Sequence, residues 1–528
     1  MPKFDVIIVG AGFAGMYMLH RVRQLGLSAV VIEKGGDVGG TWFWNRYPGA
    51  RCDVESLSYS YSFSSELQQE WEWSHRYATQ PEILRYANHV ADRFDLRRDI
   101  LFNTVAKSAA FDESGNDWEV RAEGGGELRA RYLVMATGCL SVPKAPDLPH
   151  LDRFKGRILH TADWPDDMDF TGLNVGVIGT GSSGIQSIPI IARPARHLTV
   201  FQRTPNYSIP AWNSPLEPQE QKDMKAKYDE LRAKSRNSLS GDYAEECVVS
   251  ILDLTEDQRE AEFEKRWRQG GFNYQYAFTD LMTSEAANEL AAEFVRRKIR
   301  ATVRDAKTAE RLCPKNHAFG AKRLCVDTDY YETFNRDNVS LVDLGDDPIR
   351  DFTADGVRTA HRYVPLDVLV LATGFDAMTG ALSKIDIRGR GHATLKACWR
   401  EGPKAYLGLA VAGFPNLFLI TGPGSPSVLA NVMVAIEQHV EWISDLLAFA
   451  GKNGVTVIEA DVEAQENWAR QVTEGAARTL YMKADSWYLG ANVPGKPRVF
   501  MPYADGVSTY GRICSDVAEQ GYDGFHLA

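Results

Sequence analysis

Apolar and polar positions set up the same pattern twice along the chain. The run Val6 to Val9 leads into Gly10-Ala11-Gly12-Phe13-Ala14-Gly15, the next eleven residues carry apolar positions at helical spacing, and a second apolar run, AVVIEK, closes at Glu33. A short apolar run bounded by turn residues reads as a buried strand, and a period near 3.6 reads as a helix with one buried face. The order is strand, glycine turn, helix, strand. It returns at Val175 to Ile178, followed by GTGSSG, a helical segment that Pro189 should make irregular, and the strand HLTVFQ. Two more apolar runs, in YLVMATG (132–138) and DVLVLATGFD (367–376), each end in Ala-Thr-Gly. Such turns suit a chain crossing between two nucleotide-binding units, although either alone is equally a buried strand meeting a turn.

The remaining pattern divides in two. Charge and helix formers dominate from about Ser214 to Lys307, in QKDMKAKYDELRAK and ANELAAEFVRRKIRATVRD, which predicts a mainly helical insertion. Beyond about Phe375 come the strand-like YLGLAVAG and NLFLITG and a long candidate helix in ANVMVAIEQHVEWISDLLAFA. The predicted fold is α/β, with two dinucleotide-binding (Rossmann-like) domains and a helical insertion in the second. Residues 1–140 and 375–528 form the first domain, 150–213 and 325–374 the second, 214–324 the insertion and 141–165 the linker.

Each glycine has a physical reason. Gly10 makes the tight turn, Gly12 lets a pyrophosphate approach a helix N-terminus, and Gly15 lets helix and strand pack closely; Gly179, Gly181 and Gly184 repeat these roles, with Ser182 opening the second helix. The two units differ at the end of their second strand, where Glu33 and Arg203 occupy corresponding slots. A carboxylate there accepts from a free ribose 2′-hydroxyl and repels a 2′-phosphate, whereas an Arg does the reverse. The first unit should therefore hold FAD and the second NADPH, unless Arg203 is simply a solvated strand-end side chain.

Composition narrows the classes. Of 528 residues 44% are hydrophobic and 24% charged, and no apolar run approaches the ~18 residues a membrane span needs. The N-terminal MPKFDVIIVGAG enters a strand without the features of a secretory signal, so a cytoplasmic location and no membrane partner are expected. Seven cysteines without a C-x-x-C pair suit free thiols and argue against a metal site or a dithiol redox centre. A net charge of −11 argues against a nucleic-acid partner.

Two stretches carry more specific chemistry. FKGRILHTADWP fits F-x-G-x-x-x-H-x-x-x-W-P through Phe154, Gly156, His160, Trp164 and Pro165, and GGTWFWNRYPGARCD fits G-x-W-x-x-x-x-[FY]-P-G-x-x-x-D through Gly40, Trp42, Tyr47, Pro48, Gly49 and Asp53. Together they resemble the signatures of type I Baeyer–Villiger monooxygenases. Tyr or Phe in place of Trp164 would point instead to flavin-containing or N-hydroxylating monooxygenases. The resemblance continues through QRTPN (202–206), FGAKRLCVDTDYYETFNRDNV (319–339), GFPNLFLITGPGSPS (413–427) and SWYLGANVPGKPRVF (486–500).

The resemblance implies an enzyme using FAD, NADPH and O2 to insert oxygen beside a ketone carbonyl through a flavin C4a-peroxide, giving an ester or lactone, with sulfides as further substrates. It implies that Arg323 is the catalytic cation and Asp53 the acid that positions it. Gly40, Thr41 and Trp42 fall on the flavin side, Lys322 joins Arg203 on the 2′-phosphate, and Trp487 closes over the nicotinamide. Leu429, Ala430, Asn431 and Val432 form a pocket wall, and His160 holds the linker in register. Each has a plainer reading: a surface ion pair, a solvated Lys, a loop aromatic, a helix start, a structural histidine. Heteroatom oxidation by the same flavin is the nearest alternative activity, and electron transfer to another acceptor a more distant one. A monomer or weak oligomer is expected.

Overall fold

The computed structural model describes residues 3–144 and 146–528. Strand β1 (Lys3–Val9) lies parallel to β2 (Ala29–Ile32), which in turn pairs with β3 (Ile100–Leu101). On its other side β1 pairs with β6 (Glu127–Met135), which is reached through an antiparallel meander of β4 (Ala106–Asp112) and β5 (Asp117–Ala122). Because side chains alternate across a strand, Val6 and Ile8 enter one core while Ile7 and Val9 enter another on the opposite face. This is why Val6 to Val9 are apolar without alternation: both faces of this part of the sheet are covered.

The second sheet repeats the plan. Its strands β7 (Arg157–His160), β8 (Asn174–Ile178) and β9 (His197–Gln202) are joined much later by β12 (Val339–Asp343), which follows the short pair β10 (Ser208–Pro210) and β11 (Cys325–Asp327), and by β16 (Val368–Leu371), which follows the three-stranded β13 (Ile349–Thr353), β14 (Gly356–Thr359) and β15 (Tyr363–Pro365). All contacts within the five-stranded sheet are parallel. The chain then returns to the first sheet, adding β17 (Asp386–Arg388) beside β4 and β18 (Leu417–Leu419) beside β6.

Between β10 and β11 the chain is mainly helical, with Pro218–Lys225, Tyr228–Arg236, Glu256–Gln269, Glu285–Thr302 and Ala306–Leu312. Local chemistry sets several starts: Thr255 and Gln258 form a reciprocal capping box, and Ser284 and Asp305 each accept from a backbone N–H of the first turn. Phe263, Phe294, Val295 and Ile299 pack into the same core as Val175 and Val177. Each such burial is worth about 1.5–3 kcal/mol, which ties these helices to the second sheet.

Two expectations change. The helix Ser182–Ala192 runs unbroken through Pro189. YLGLAVAG is not a strand: Leu407 and Gly408 take left-handed φ values of 53° and 71°, and the chain doubles back through a Tyr406–Ala410 bridge. A Cβ on Gly408 would meet the Ser425 backbone nitrogen at 2.7 Å, so the reversal seats backbone on backbone. Leu407 and Leu409 are fully buried, and burial rather than strand pairing accounts for the apolar pattern.

Candidate functional site

The first glycine turn forms a cradle with no room for a side chain at its base. A Cβ on Gly10 would meet the Ala136 carbonyl at 2.5 Å, and one on Gly15 would meet the Gly10 carbonyl at 1.8 Å. Gly12 caps the helix Phe13–Gln24 without a side-chain hydrogen bond, and that helix has no acid in its first turn. Its leading N–H groups are thus placed to meet a phosphate. Buried Glu33 accepts from the Ala11 N–H at 2.7 Å and the Gly35 N–H at 2.5 Å, which fixes a carboxylate beside the turn. Gly40 presses against the same turn, since its Cβ would lie 2.9 Å from the Gly12 Cα. Thr41 and Trp42 follow in a single helical turn, where the indole of Trp42 donates to Tyr59.

The second cradle has the same construction. A Cβ on Gly179 would strike the Ala372 carbonyl at 2.3 Å, one on Gly184 would strike the Gly179 carbonyl at 2.2 Å, and one on Gly181 would enter open space. Ser182 opens a helix that Gly181 caps without a side chain. Each Ala-Thr-Gly turn therefore floors one cradle, Ala136 the first and Ala372 the second. Both cradles leave space and free donors for a dinucleotide, so the residues present fit FAD in the first and NADPH in the second.

Around the second cradle the charge is positive. Lys322 holds its proton less tightly than an ordinary Lys, first because it is buried and then because Arg203 faces it; the same two causes act on Lys144. Burial followed by the charge of Lys322 lowers His317 to about 4. A phosphate dianion would relieve this mutual repulsion. Arg203 and Lys322 are thus brought together, with Lys144 as a third cation that sequence reasoning missed.

The fingerprint linker is anchored to the second unit at its histidine. His160 ends β7, and its Nδ1 accepts from the Ala162 N–H at 3.1 Å. That leaves Nε2–H facing the Thr373 hydroxyl at 3.3 Å, while Thr373 donates to the Lys144 carbonyl at 3.0 Å. Burial keeps His160 below its ordinary pKa, and the neutral ring ties the linker to the second Ala-Thr-Gly turn.

Arg323 and Asp53 meet between these parts. The Tyr47 hydroxyl donates to Gln186 at 2.8 Å, and a Cβ on Gly49 would strike the Gln186 carbonyl at 2.3 Å, so the first signature docks on the helix Ser182–Ala192. Asp53 then receives Arg323 through Nε at 3.1 Å and Nη2 at 2.9 Å, while Nη1 donates to the Val428 carbonyl at 2.5 Å. The guanidinium stacks on Phe272, 4.9 Å from the ring centre. Burial is the largest single influence and works against its charge, but Asp53 together with the Tyr488 and Tyr276 phenols outweighs it and raises the pKa further above the ordinary Arg value. It remains a cation under any physiological condition.

Arg323 lines a cavity of about 30 Å³ together with Val54, Phe272, Tyr276, Leu429, Ala430, Asn431, Tyr481 and Tyr488, and with Ser240, Asp242 and Gln275. Val432 does not face it; it opens the helix Val432–Asn453, which Asn431 caps by accepting from Met433. Trp487 lies beside the cavity, its ring 4.4 Å from that of Tyr488 and packed near Met378 and Val428. The tyrosines were not anticipated, although Tyr488 adjoins Trp487 in a stretch already singled out. Among the described residues no helix is long and apolar enough to cross a membrane.

This geometry can be set beside known proteins. A family model described as pyridine nucleotide-disulphide oxidoreductase matches residues 7–260. The chain is 43% identical to a Baeyer-Villiger monooxygenase of Pseudooceanicola batsensis, covering 98% of this chain and 95% of that protein. It is 40% identical to a cyclohexanone 1,2-monooxygenase of Acinetobacter sp, over 99% and 96% of the two chains, and 43% identical to a phenazine N-monooxygenase of Lysobacter antibioticus, over 99% and 97%. Among solved structures, oxidized steroid monooxygenase bound to NADP superposes with a TM-score of 0.96 at 53% identity, covering 99% of each chain. The closed crystal structure of cyclohexanone monooxygenase does so with a TM-score of 0.98 at 44% identity, over 100% of this chain and 99% of that one.

Proposed function

The chain belongs to the type I Baeyer–Villiger monooxygenases, flavin-dependent enzymes that use NADPH, and from that premise we propose the roles of its residues. Arg323 is the catalytic cation, Asp53 its positioning partner, and the cavity that Arg323 lines with Leu429, Ala430 and Asn431 the ketone site. The observation that carries this reading is the two-point ion pair of Arg323 with Asp53 on the wall of that cavity.

Bound FAD supplies the centre at which O2 is activated, and NADPH supplies the hydride. The chain's own work is electrostatic. Oxygen insertion places negative charge on the former carbonyl oxygen, and a fixed cation that cannot deprotonate stabilises that charge without reorganising. Asp53 holds Nε and Nη2, the Val428 carbonyl holds Nη1, and Phe272 covers one face of the plane. Gly10, Gly12, Gly15, Glu33, Gly40, Thr41 and Trp42 would hold FAD. Gly179, Gly181, Ser182, Gly184, Arg203 and Lys322 would hold NADPH, with Trp487 against its nicotinamide end.

Arg323→Ala, prepared with full flavin content, tests the assignment. The expected result is NADPH consumption that yields hydrogen peroxide while ester falls by roughly a hundredfold or more, the loss typical of removing a transition-state charge stabiliser. Ester formation at the unaltered rate would remove Arg323 from the mechanism. Heteroatom oxidation in the same cavity is the second reading, and the similarity to a phenazine N-monooxygenase favours it. Comparing ester and sulfoxide yields from one enzyme preparation across pH separates the two activities.

A further inference from the structure

The wall of the Arg323 cavity has a polar side that oxygen insertion into a bare ketone leaves idle. Asp242 stands on that side, and its Oδ1 accepts from the Ser58 hydroxyl at 3.1 Å and the Tyr243 N–H at 2.8 Å. Its Oδ2 makes no hydrogen bond among the described residues. The carboxyl group is held in place from across the cavity: the Asn431 amide donates to the Ser58 carbonyl at 3.0 Å and to the Ser58 hydroxyl at 3.1 Å, and the Asn431 N–H donates to the Ser240 carbonyl at 2.8 Å. Ser240 adds a buried hydroxyl without a partner of good geometry, beside the Tyr276 phenol.

Asp242 lines the cavity with one carboxyl oxygen unpaired among the described residues, so a donor that enters the cavity meets an acceptor already in place. Burial, followed by the nearby charge of Glu55, raises the Asp242 carboxyl to about 6, while Arg232 acts the other way. The same cavity holds the Arg323 guanidinium, which repels an ammonium group, so a neutral donor suits the site better than a cation. Phe272, Leu429 and Ala430 offer apolar contact to the carbon skeleton of a substrate.

We propose that Asp242 selects ketones that carry a hydroxyl group away from the carbonyl, the carbonyl turned to Arg323 and the hydroxyl donating to Asp242 Oδ2. This rests on the ketone-oxygenation reading above and specifies its substrate class. Asp242 acts as a specificity residue, making no demand on the oxygen-insertion step itself.

The test uses two cyclic ketones that differ only by a distal hydroxyl, with wild type, Asp242→Asn and Asp242→Leu compared as FAD- and NADP+-loaded enzymes. Equilibrium binding of each ketone is measured first, then kcat and KM for ester formation. Wild type should favour the hydroxyketone by roughly ten- to hundredfold, carried mainly in KM, as expected for a hydrogen bond to a charged group. Asp242→Leu should lose that ratio, and Asp242→Asn, which keeps an acceptor oxygen, should retain part of it. A ratio near one in wild type, or a ratio preserved in Asp242→Leu, overturns the proposal. Because the readout is a ratio within one protein, a general loss of folding cannot imitate it. Absence of ester from both ketones in wild type would sink the oxygenation reading instead, and the binding ratio would still decide the role of Asp242.

Discussion

Arg203 carries the most direct prediction at the scale of one side chain. It faces Lys322 and Lys144 beside the second glycine turn, a cluster whose repulsion a 2′-phosphate would relieve. Arg203→Ala should raise the KM for NADPH by roughly tenfold or more while changing that for NADH little, the size of one lost charge-assisted hydrogen bond. Equal losses with both cofactors would show that the side chain serves the fold. His160 predicts a different signature: its ring accepts from Ala162 and meets Thr373, so it acts through the linker and not on the substrate. His160→Ala should keep its flavin but turn over more slowly with more peroxide released, and unimpaired, fully coupled turnover would refute that. The meeting of Arg323 with Asp53 and of Arg203 with Lys322 was legible in the sequence because each sits in a motif whose neighbours restrict its place. Asp242, Ser240 and Tyr276 were not, because nothing around them in the chain says that a loop of the helical region will meet Asn431 and Arg323 at one cavity.

The elements divide along the same line. Both strand–glycine–helix units could be read directly, since close backbone approach leaves glycine no substitute. Gly184→Ala would put a methyl group 2.2 Å from the Gly179 carbonyl, so it should weaken NADP+ binding by roughly tenfold or more while flavin stays bound. Gly15→Ala makes the same clash in the first cradle and should instead yield protein with reduced flavin content. Titration of NADP+ and the flavin absorbance of purified protein distinguish them, and an effect confined to the opposite cofactor in either variant would reverse the assignment of the two cradles. YLGLAVAG misled because apolar content reports burial, and a buried reversal around Leu407 carries as much of it as a strand. Pro189 misled because a proline's local cost can be met by packing, and Ile185, Ile188 and Ile191 bury the helix on both sides of it.

For the whole molecule the histidines set an acid limit. Burial lowers His439 to about 3 and His317 to about 4, so between these values and the ordinary 6.5 the unfolded chain binds more protons than the folded one. Their contribution is complete above about pH 6.5 and is lost as pH falls through that window. Asp242 and Asp327, both raised to about 6, act in the opposite sense, so the net slope alone is not diagnostic. His439→Gln keeps an acceptor for the Thr421 N–H that His439 Nδ1 now receives at 2.9 Å, and removes the titration. Its denaturation midpoint should fall less steeply than that of wild type between pH 7 and pH 4.5, conditions set by the ordinary histidine pKa. Parallel curves would place the acid sensitivity elsewhere.

The return of β18 to β6 has a consequence for how the chain is made. Leu417–Leu419 pairs with Leu133–Met135, and everything from β7 to β16 lies between them. On the ribosome the second sheet has all its strands once Leu371 has emerged, while the C-terminal end of β6, on the edge whose first part β5 already covers, is still waiting for a segment not yet translated. Synthesis therefore completes the inner sheet first, and the sheet that begins the polypeptide is among the last parts of it to close.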